Sequence, residues 1–175
     1  MGATLEPRRL RRTVAFLAAA LCAAAGPAAA QEADFLRLGF SYGSLSRFGI
    51  SLEYVWDQTG AEVIVGTRHF QDISVSAVAK QYLGEGPVKG YLGLGLSNVT
   101  EWAHGGVATG LLLRAPIGVE FRTFDANWVG LDISVHRALA VKRADPEDQR
   151  PPRTFLVPLP GAYWKYGDRR GGAGY

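Results

Sequence analysis

Cysteine is almost absent from this sequence, and the single residue of this type is Cys22. Cys22 lies within an N-terminal segment that we expect to be cleaved off, so the remaining chain is predicted to have no disulfide and no thiol chemistry. After that segment, the sequence also lacks any apolar run approaching about 18 residues, which excludes helical membrane spans there. An apolar pattern of helical period is missing as well.

The N-terminal segment has the three parts of a secretory signal peptide. Four arginines at positions 8–12 precede an apolar run over Val14–Ala25, and the small residues Ala28 and Ala30 follow. This order predicts a signal peptide over residues 1–30, with cleavage after Ala30. The apolar run is too short for a stop-transfer helix, which needs about 20 residues.

An excess of charge of one sign is also missing once the signal peptide is removed. The full chain has 19 basic and 16 acidic residues, and the signal peptide contains four arginines and one glutamate, which leaves 15 of each. The sequence pI of about 9.2 therefore reflects the targeting segment. The balanced mature chain gives no reason to expect a nucleic-acid partner.

What the rest of the chain does contain is a series of segments in which apolar residues recur with period two. Their breaks hold Gly, Asp, Asn or Pro, which is typical of strands joined by turns. The predicted strands cover residues 34–42, 47–56, 61–70, 73–83, 87–97, 108–122 and 128–139. Most have the length of about 9 to 11 residues that a tilted strand needs to cross a bilayer. The prediction is an all-β fold, a single antiparallel up-and-down β-barrel of about eight strands.

The end of the chain is less regular than the strands over residues 31–140. Residues 141–154 form a charged, Pro-rich segment that we interpret as a loop, and residues 167–175 are expected to be a disordered tail. Residues 155–166 are the candidate closing strand. Pro158 and Pro160 interrupt this segment, and proline is tolerated only at a sheet edge or outside the sheet.

The two faces of the predicted strands differ consistently in composition. One face is apolar and the other combines charges with Gly and Ser, which suits the inside of a narrow barrel better than a water-facing surface. Apolar side chains are therefore expected to point outward. The third and fourth predicted strands, 61–70 and 73–83, sort less cleanly, with Arg68 and Lys80 as their expected interior charges. Buried charges need partners, and the candidate interior network consists of Arg37, Glu53, Arg114, Glu120, Arg122 and Asp132.

Aromatic residues concentrate near the predicted strand ends. They have two interpretations, an aromatic girdle at the membrane interfaces or ordinary core residues of a β-sheet. The residues concerned are Tyr42, Trp56, Phe70, Tyr82, Phe121 and Trp128.

No residues form a recognisable catalytic or metal-binding motif. Ser134 and His136 share the inward face with Asp132, but their simpler interpretation is membership of the interior network. His69, His104 and His136 lack the spacing of metal ligands. We therefore predict no enzyme activity, no metal and no cofactor.

The longest connection between the predicted strands is residues 98–106. It contains Trp102 and His104, which are candidates for contact with a surface partner. If the N-terminus is periplasmic, this connection and residues 141–153 face the outside of the cell.

Three stretches carry a resemblance to a known family, namely Tyr91-Leu-Gly-Leu-Gly-Leu96, Gly110–Arg122 and Trp128–Val135. Over about residues 34–140 the chain resembles small bacterial outer-membrane β-barrels similar to the membrane domain of outer-membrane protein A. The resemblance implies contact with outer-membrane lipid, insertion by the barrel assembly machinery and no cofactor. One departure from the family is that Tyr175, the terminal aromatic, follows a Gly- and Arg-rich tail rather than an alternating strand.

Two functions follow from these predictions. The first is an integral outer-membrane barrel with a structural or surface-interaction role. The alternative is a soluble periplasmic barrel of the lipocalin kind, whose apolar interior would bind a hydrophobic ligand.

Overall fold

The computed structural model describes residues 34–84, 86–103, 106–124, 126–145 and 156–167. The predicted signal peptide, residues 168–175 of the predicted tail and residues 146–154 of the predicted loop lie outside the described residues. Among the described residues, no helix has the length and apolar character to cross a membrane. The strands are β1 (Phe35–Gly43), β2 (Ser46–Trp56), β3 (Thr59–Thr67), β4 (Asp72–Leu83), β5 (Val88–Ala103), β6 (Gly106–Arg122), β7 (Asn127–Lys142) and β8 (Val157–Tyr166).

The eight strands form a closed barrel in which each strand pairs antiparallel with its neighbours in sequence. β1 and β8 close the barrel, with Leu38 opposite Tyr166 and Gly43 opposite Gly161. The predicted all-β, up-and-down barrel is therefore confirmed. We call the end with the start of β1 and the end of β8 the turn end, and the opposite end, where β1 joins β2, the loop end.

Three consecutive strands extend further at the loop end than the others. β5, β6 and β7 have 16, 17 and 16 residues, whereas β1 and β3 have 9 each. The prediction of a loop over residues 98–106 was wrong. Strand pairing continues there, with Thr100 opposite Thr109 and Trp102 opposite Val107. These residues are β-branched or aromatic, and they favour a paired strand over a loop.

The closing strand β8 contains both prolines that interrupt its sequence pattern. Pro158 and Pro160 pair with β7 only, because the pairing of β8 with β1 stops at Gly161. The carbonyl of Pro160 accepts a hydrogen bond from the amide of Ser44, just past the end of β1. The nitrogen of a strand residue points to the same side as its carbonyl, so both prolines present their missing N–H to an edge that β1 no longer covers.

The apolar faces of the strands point outward and the polar faces point inward. Leu38 on β1 is 54 % exposed, whereas its neighbour Arg37 is 1 % exposed. The ambiguous strands β3 and β4 follow the same rule, with Glu62 and Lys80 inside. Their outer face holds small residues such as Ala61 and Ala79, which weakened the alternation in the sequence.

Arg68, expected inside, is instead 41 % exposed on the turn between β3 and β4. It donates to Asp72, the first residue of β4. Since Asp72 also accepts from the backbone amides of Arg68 and His69, the local turn geometry fixes Arg68 at the rim.

Candidate functional site: the charged interior of the barrel

The interior has room for large side chains because glycines face them on the adjacent strands. Gly118 on β6 pairs with Tyr91 on β5, and a Cβ on Gly118 would lie 2.8 Å from the Tyr91 ring. Gly130 on β7 pairs with Tyr163 on β8 in the same way, and a Cβ there would overlap the ring. Because these inward residues are glycines, the two tyrosine rings have room inside the barrel.

Two carboxylates and two ammonium groups form the central ion cluster of the barrel. Lys165 Nζ lies 2.9 Å from Glu53 Oε2 and 2.6 Å from Glu62 Oε1. Lys80 Nζ lies 2.6 Å from Glu62 Oε2 and 3.5 Å from Glu53 Oε1. The hydroxyl of Tyr82 also donates to Glu53. Each charge thus meets opposite charges on other strands, which offsets the cost of removing it from water.

Arg37 connects this cluster to the turn end of the barrel. Its Nη1 atom donates to both oxygens of Glu120 at 2.9 and 3.0 Å, and it lies 3.6 Å from Glu53. Its Cζ atom is 4.4 Å from the centre of the Trp128 ring and 4.8 Å from that of Phe35. A planar guanidinium can stack on rings while it forms ion pairs. Arg37 and these rings therefore fill the lumen near the turn end.

A second, smaller polar group lies toward the loop end. Arg114 Nη2 lies 3.7 Å from Asp132, and Arg114 Nε donates to the hydroxyl of Ser134 at 3.2 Å. The hydroxyl of Tyr91 donates to Asp132 at 3.3 Å. Serine pairs continue this polar lining, with Ser76 and Ser97 hydroxyls 2.7 Å apart.

A polar cavity opens among these residues at the loop end of the lumen. Its lining includes Ser41 and Ser46 from the first hairpin, Lys80, Asp132 and Gly161. The ion cluster lies on the side of this cavity that faces the turn end. The interior of the described barrel therefore has a polar cavity toward one end and is filled by ion pairs and rings toward the other.

Five of the six residues predicted for the interior network face the lumen. Glu120 and Glu53 share Arg37, while Arg114 contacts Asp132, so the structure divides the predicted network into two groups. Arg122 differs from these five, because it lies at the rim and not among the buried charges. Arg122 is the last residue of β6, where its guanidinium is exposed and lies 5.8 Å from the centre of the Trp128 ring.

Several interior residues were not foreseen from the sequence. Glu62 and Lys165 lie in segments with weak or interrupted alternation. Tyr82 and Trp128, for which the sequence left a girdle position and a core position open, are both buried. Of the other aromatic residues with these two interpretations, Tyr42, Phe70 and Phe121 are exposed. The inward positions of Tyr91 and Tyr163 can be recognised only when the strand register is known, because each of them lies opposite an inward glycine on the neighbouring strand.

The geometry around Ser134 and His136 gives no catalytic pair. The Ser134 hydroxyl accepts from Arg114, and His136 Nδ1 lies 3.1 Å from the backbone carbonyl of Ser134 rather than from its hydroxyl. Among the residues that the structure describes, no group of three or more potential ligands could hold a metal ion.

Of the two residues predicted to contact a surface partner, Trp102 and His104, the structure describes only Trp102. Trp102 is 52 % exposed near the end of β5. It is therefore on a paired strand, not on a loop, and projects beyond the shorter strands. His104 lies outside the described residues.

Together, the closed eight-stranded sheet, the ion-paired interior and the apolar exterior define a class of protein, the small up-and-down β-barrel turned apolar side out. No protein-family model and no curated relative matches the sequence. The fold is similar to the N-terminal β-barrel domain of OprF from Pseudomonas aeruginosa, with a TM-score of 0.58 and 12 % identity over 78 % of this chain and 98 % of that one. Neisserial surface protein A aligns with a TM-score of 0.47 and 15 % identity over 79 % of this chain and 99 % of that one.

Proposed function

We propose that the mature protein is an integral barrel of a bacterial outer membrane with a structural or surface-interaction role and no catalytic activity. The observation that carries this proposal is the continuous apolar exterior. On β5 alone, outward residues from Val88 to Leu96 are apolar apart from Gly90, a stretch of about 26 Å along the strand. At a tilt of about 40° this corresponds to about 20 Å of height, close to the apolar band of outer-membrane barrels.

Water is a poor environment for this surface. Monomeric soluble proteins rarely expose contiguous apolar patches of more than a few hundred Å², and exposed apolar residues occur here on every strand. The alternative of a lipocalin-like carrier required an apolar interior. Arg37, Glu53 and Lys165 at the centre of the barrel do not fit that requirement.

The proposed role is structural or one of surface interaction, because the interior gives no general pore. The ion cluster and the rings around Arg37 occupy the lumen, as expected for an eight-stranded barrel whose interior is filled by side chains. The remaining surface for a partner is the loop end, where β5, β6 and β7 project. Insertion by the barrel assembly machinery is part of the same proposal, and it is supported by the fold similarity alone.

The test is cell fractionation of the expressed full chain followed by gel electrophoresis with and without boiling. We expect the protein to sediment with outer membranes and to migrate faster before boiling than after it, because a folded barrel resists the detergent. Release in the soluble periplasmic fraction would reject the proposal. A protease-accessible tag within residues 146–154, compared with a tag at Gln58 on the opposite end, reports which end faces outside.

A further inference from the structure

The two ends of the barrel differ in the sign of their charges. At the turn end, Asp34 is exposed and Asp57 lies in the tight turn between β2 and β3. In the sequence, Glu85 lies between β4 and β5 and Asp125 lies between β6 and β7. Each connection at this end thus contains an acidic residue.

Cations predominate on the outer rim of the loop end. Arg47 at the start of β2 is exposed beside the outward Phe48. Arg137 on β7 interrupts a row of outward apolar residues, with Ile133 and Val135 before it and Leu139 and Val141 after it. Lys142 at the end of β7 is also exposed. Glu101 and Asp145 are exposed acids at this end, and Glu101 lies 3.8 Å from Arg68, so Glu101 is already matched with a cation.

Lys142 also lacks a partner among the residues that the structure describes, but the two arginines of the rim in this position are Arg47 and Arg137. Neither side chain forms an ion pair or hydrogen bond with a residue that the structure describes. Both are next to the apolar exterior, since Arg137 pairs with the outward Leu113, and Phe48 packs against Tyr42 and Phe70. An unpaired guanidinium at this depth is costly in hydrocarbon but stable where lipid headgroups begin.

We propose that Arg47 and Arg137 bind the phosphate groups of lipids in the leaflet that surrounds the loop end. A guanidinium forms two parallel hydrogen bonds to a phosphate. The aromatic cluster of Tyr42, Phe48 and Phe70 lies beside Arg47 at the level where acyl chains meet headgroups. The acidic turn end would disfavour the same lipids, so the binding also favours one orientation of the barrel. This inference rests on the proposed membrane function.

The experiment uses the mature chain folded into phosphatidylcholine nanodiscs that contain lipid A with two phosphates or its monophosphoryl form. Native mass spectrometry measures the lipid A that stays bound after release into detergent. We expect Arg47→Gln and Arg137→Gln each to weaken retention about fivefold, and the double variant to weaken it about thirtyfold, because one basic residue near an anionic surface contributes about 1 kcal/mol. The monophosphoryl lipid should be retained less well by the unmodified protein.

Arg122→Gln is the matched control, because it removes an exposed arginine from the turn end. Its retention of lipid A should equal that of the unmodified protein. Retention that is unchanged in the double variant, equally reduced in the control, or independent of the phosphates would overturn the phosphate site alone. A chain that fails to enter phosphatidylcholine bilayers, as judged by its unchanged migration on boiling, would overturn the membrane function as well.

Discussion

Individual side chains in this barrel have roles that depend on the residue directly across the sheet. Gly118 and Gly130 accommodate Tyr91 and Tyr163. The sequence shows the glycines and the tyrosines, but only the strand register shows that they are opposite each other. For this reason the alternation of small and charged residues predicted the polar lumen, whereas the rings inside it were missed.

The exchange Gly130→Ala tests whether these glycines are required as space. The added methyl group would overlap the Tyr163 ring, so we expect the free energy of unfolding to fall by about 1–3 kcal/mol, as for other overpacked interiors. Gly110→Ala is the control, since a Cβ at Gly110 has no atom within 4 Å. Urea unfolding of the protein in lipid vesicles measures both variants. Equal stability of the two variants would show that the Tyr163 ring can move aside without cost.

The exchange Glu53→Gln tests the ion cluster. It removes the carboxylate shared by Arg37, Lys80 and Lys165, and we expect a loss of about 3–5 kcal/mol because buried cations remain without full compensation. Glu101→Gln removes an acid that is 55 % exposed, and an exposed pair contributes about 0–1 kcal/mol. The same urea unfolding experiment compares the two. A small effect of Glu53→Gln would mean that Glu62 alone can neutralise the cluster.

The strands themselves were predictable where each face has one character. β1, β2 and the first part of β5 alternate large apolar residues with small or charged ones, and both their limits and their faces agree with the sequence pattern. β3 and β4 were harder, because outward alanines resemble inward small residues. The extension of β5 and β6 was missed because polar residues such as Asn98 and Thr100 suggest a loop when only one strand is considered.

The closing strand provides a test of how proline is tolerated in the sheet. Ala162 has the same orientation as Pro158 and Pro160, but it lies opposite Tyr42 of β1. Ala162→Pro would remove a donor from the shortest seam of the barrel, so we expect a loss of about 3 kcal/mol or more and a large fall in the yield of the folded, heat-modifiable form. Pro160→Ala should fold as well as the original chain. Normal folding of Ala162→Pro would show that this seam does not control closure.

The whole molecule combines two properties that were both inferable in outline, an apolar exterior and a polar interior. The sequence alternation alone fits either orientation, and the abundance of glycine and serine on the charged face favoured the one observed. The asymmetry between the ends was not inferable in the same way, because Arg47, Arg68 and Arg137 are far apart in sequence. Only the closed sheet brings them to one rim.

A series of arginine substitutions along the outer face of β5 tests where this barrel contacts hydrocarbon. Leu94 lies within the apolar stretch, whereas Thr100 lies on the part of β5 that projects beyond it. We expect Leu94→Arg to cost about 2–4 kcal/mol and Thr100→Arg about 0–1 kcal/mol, because the cost of a lipid-facing charge falls with distance from the bilayer midplane. Unfolding in vesicles measures the depth profile, and unfolding in a short-chain detergent is the control for strand propensity. A profile that is equally steep in both media would indicate lost packing rather than lipid contact, and a flat profile in vesicles would place this face of β5 in water.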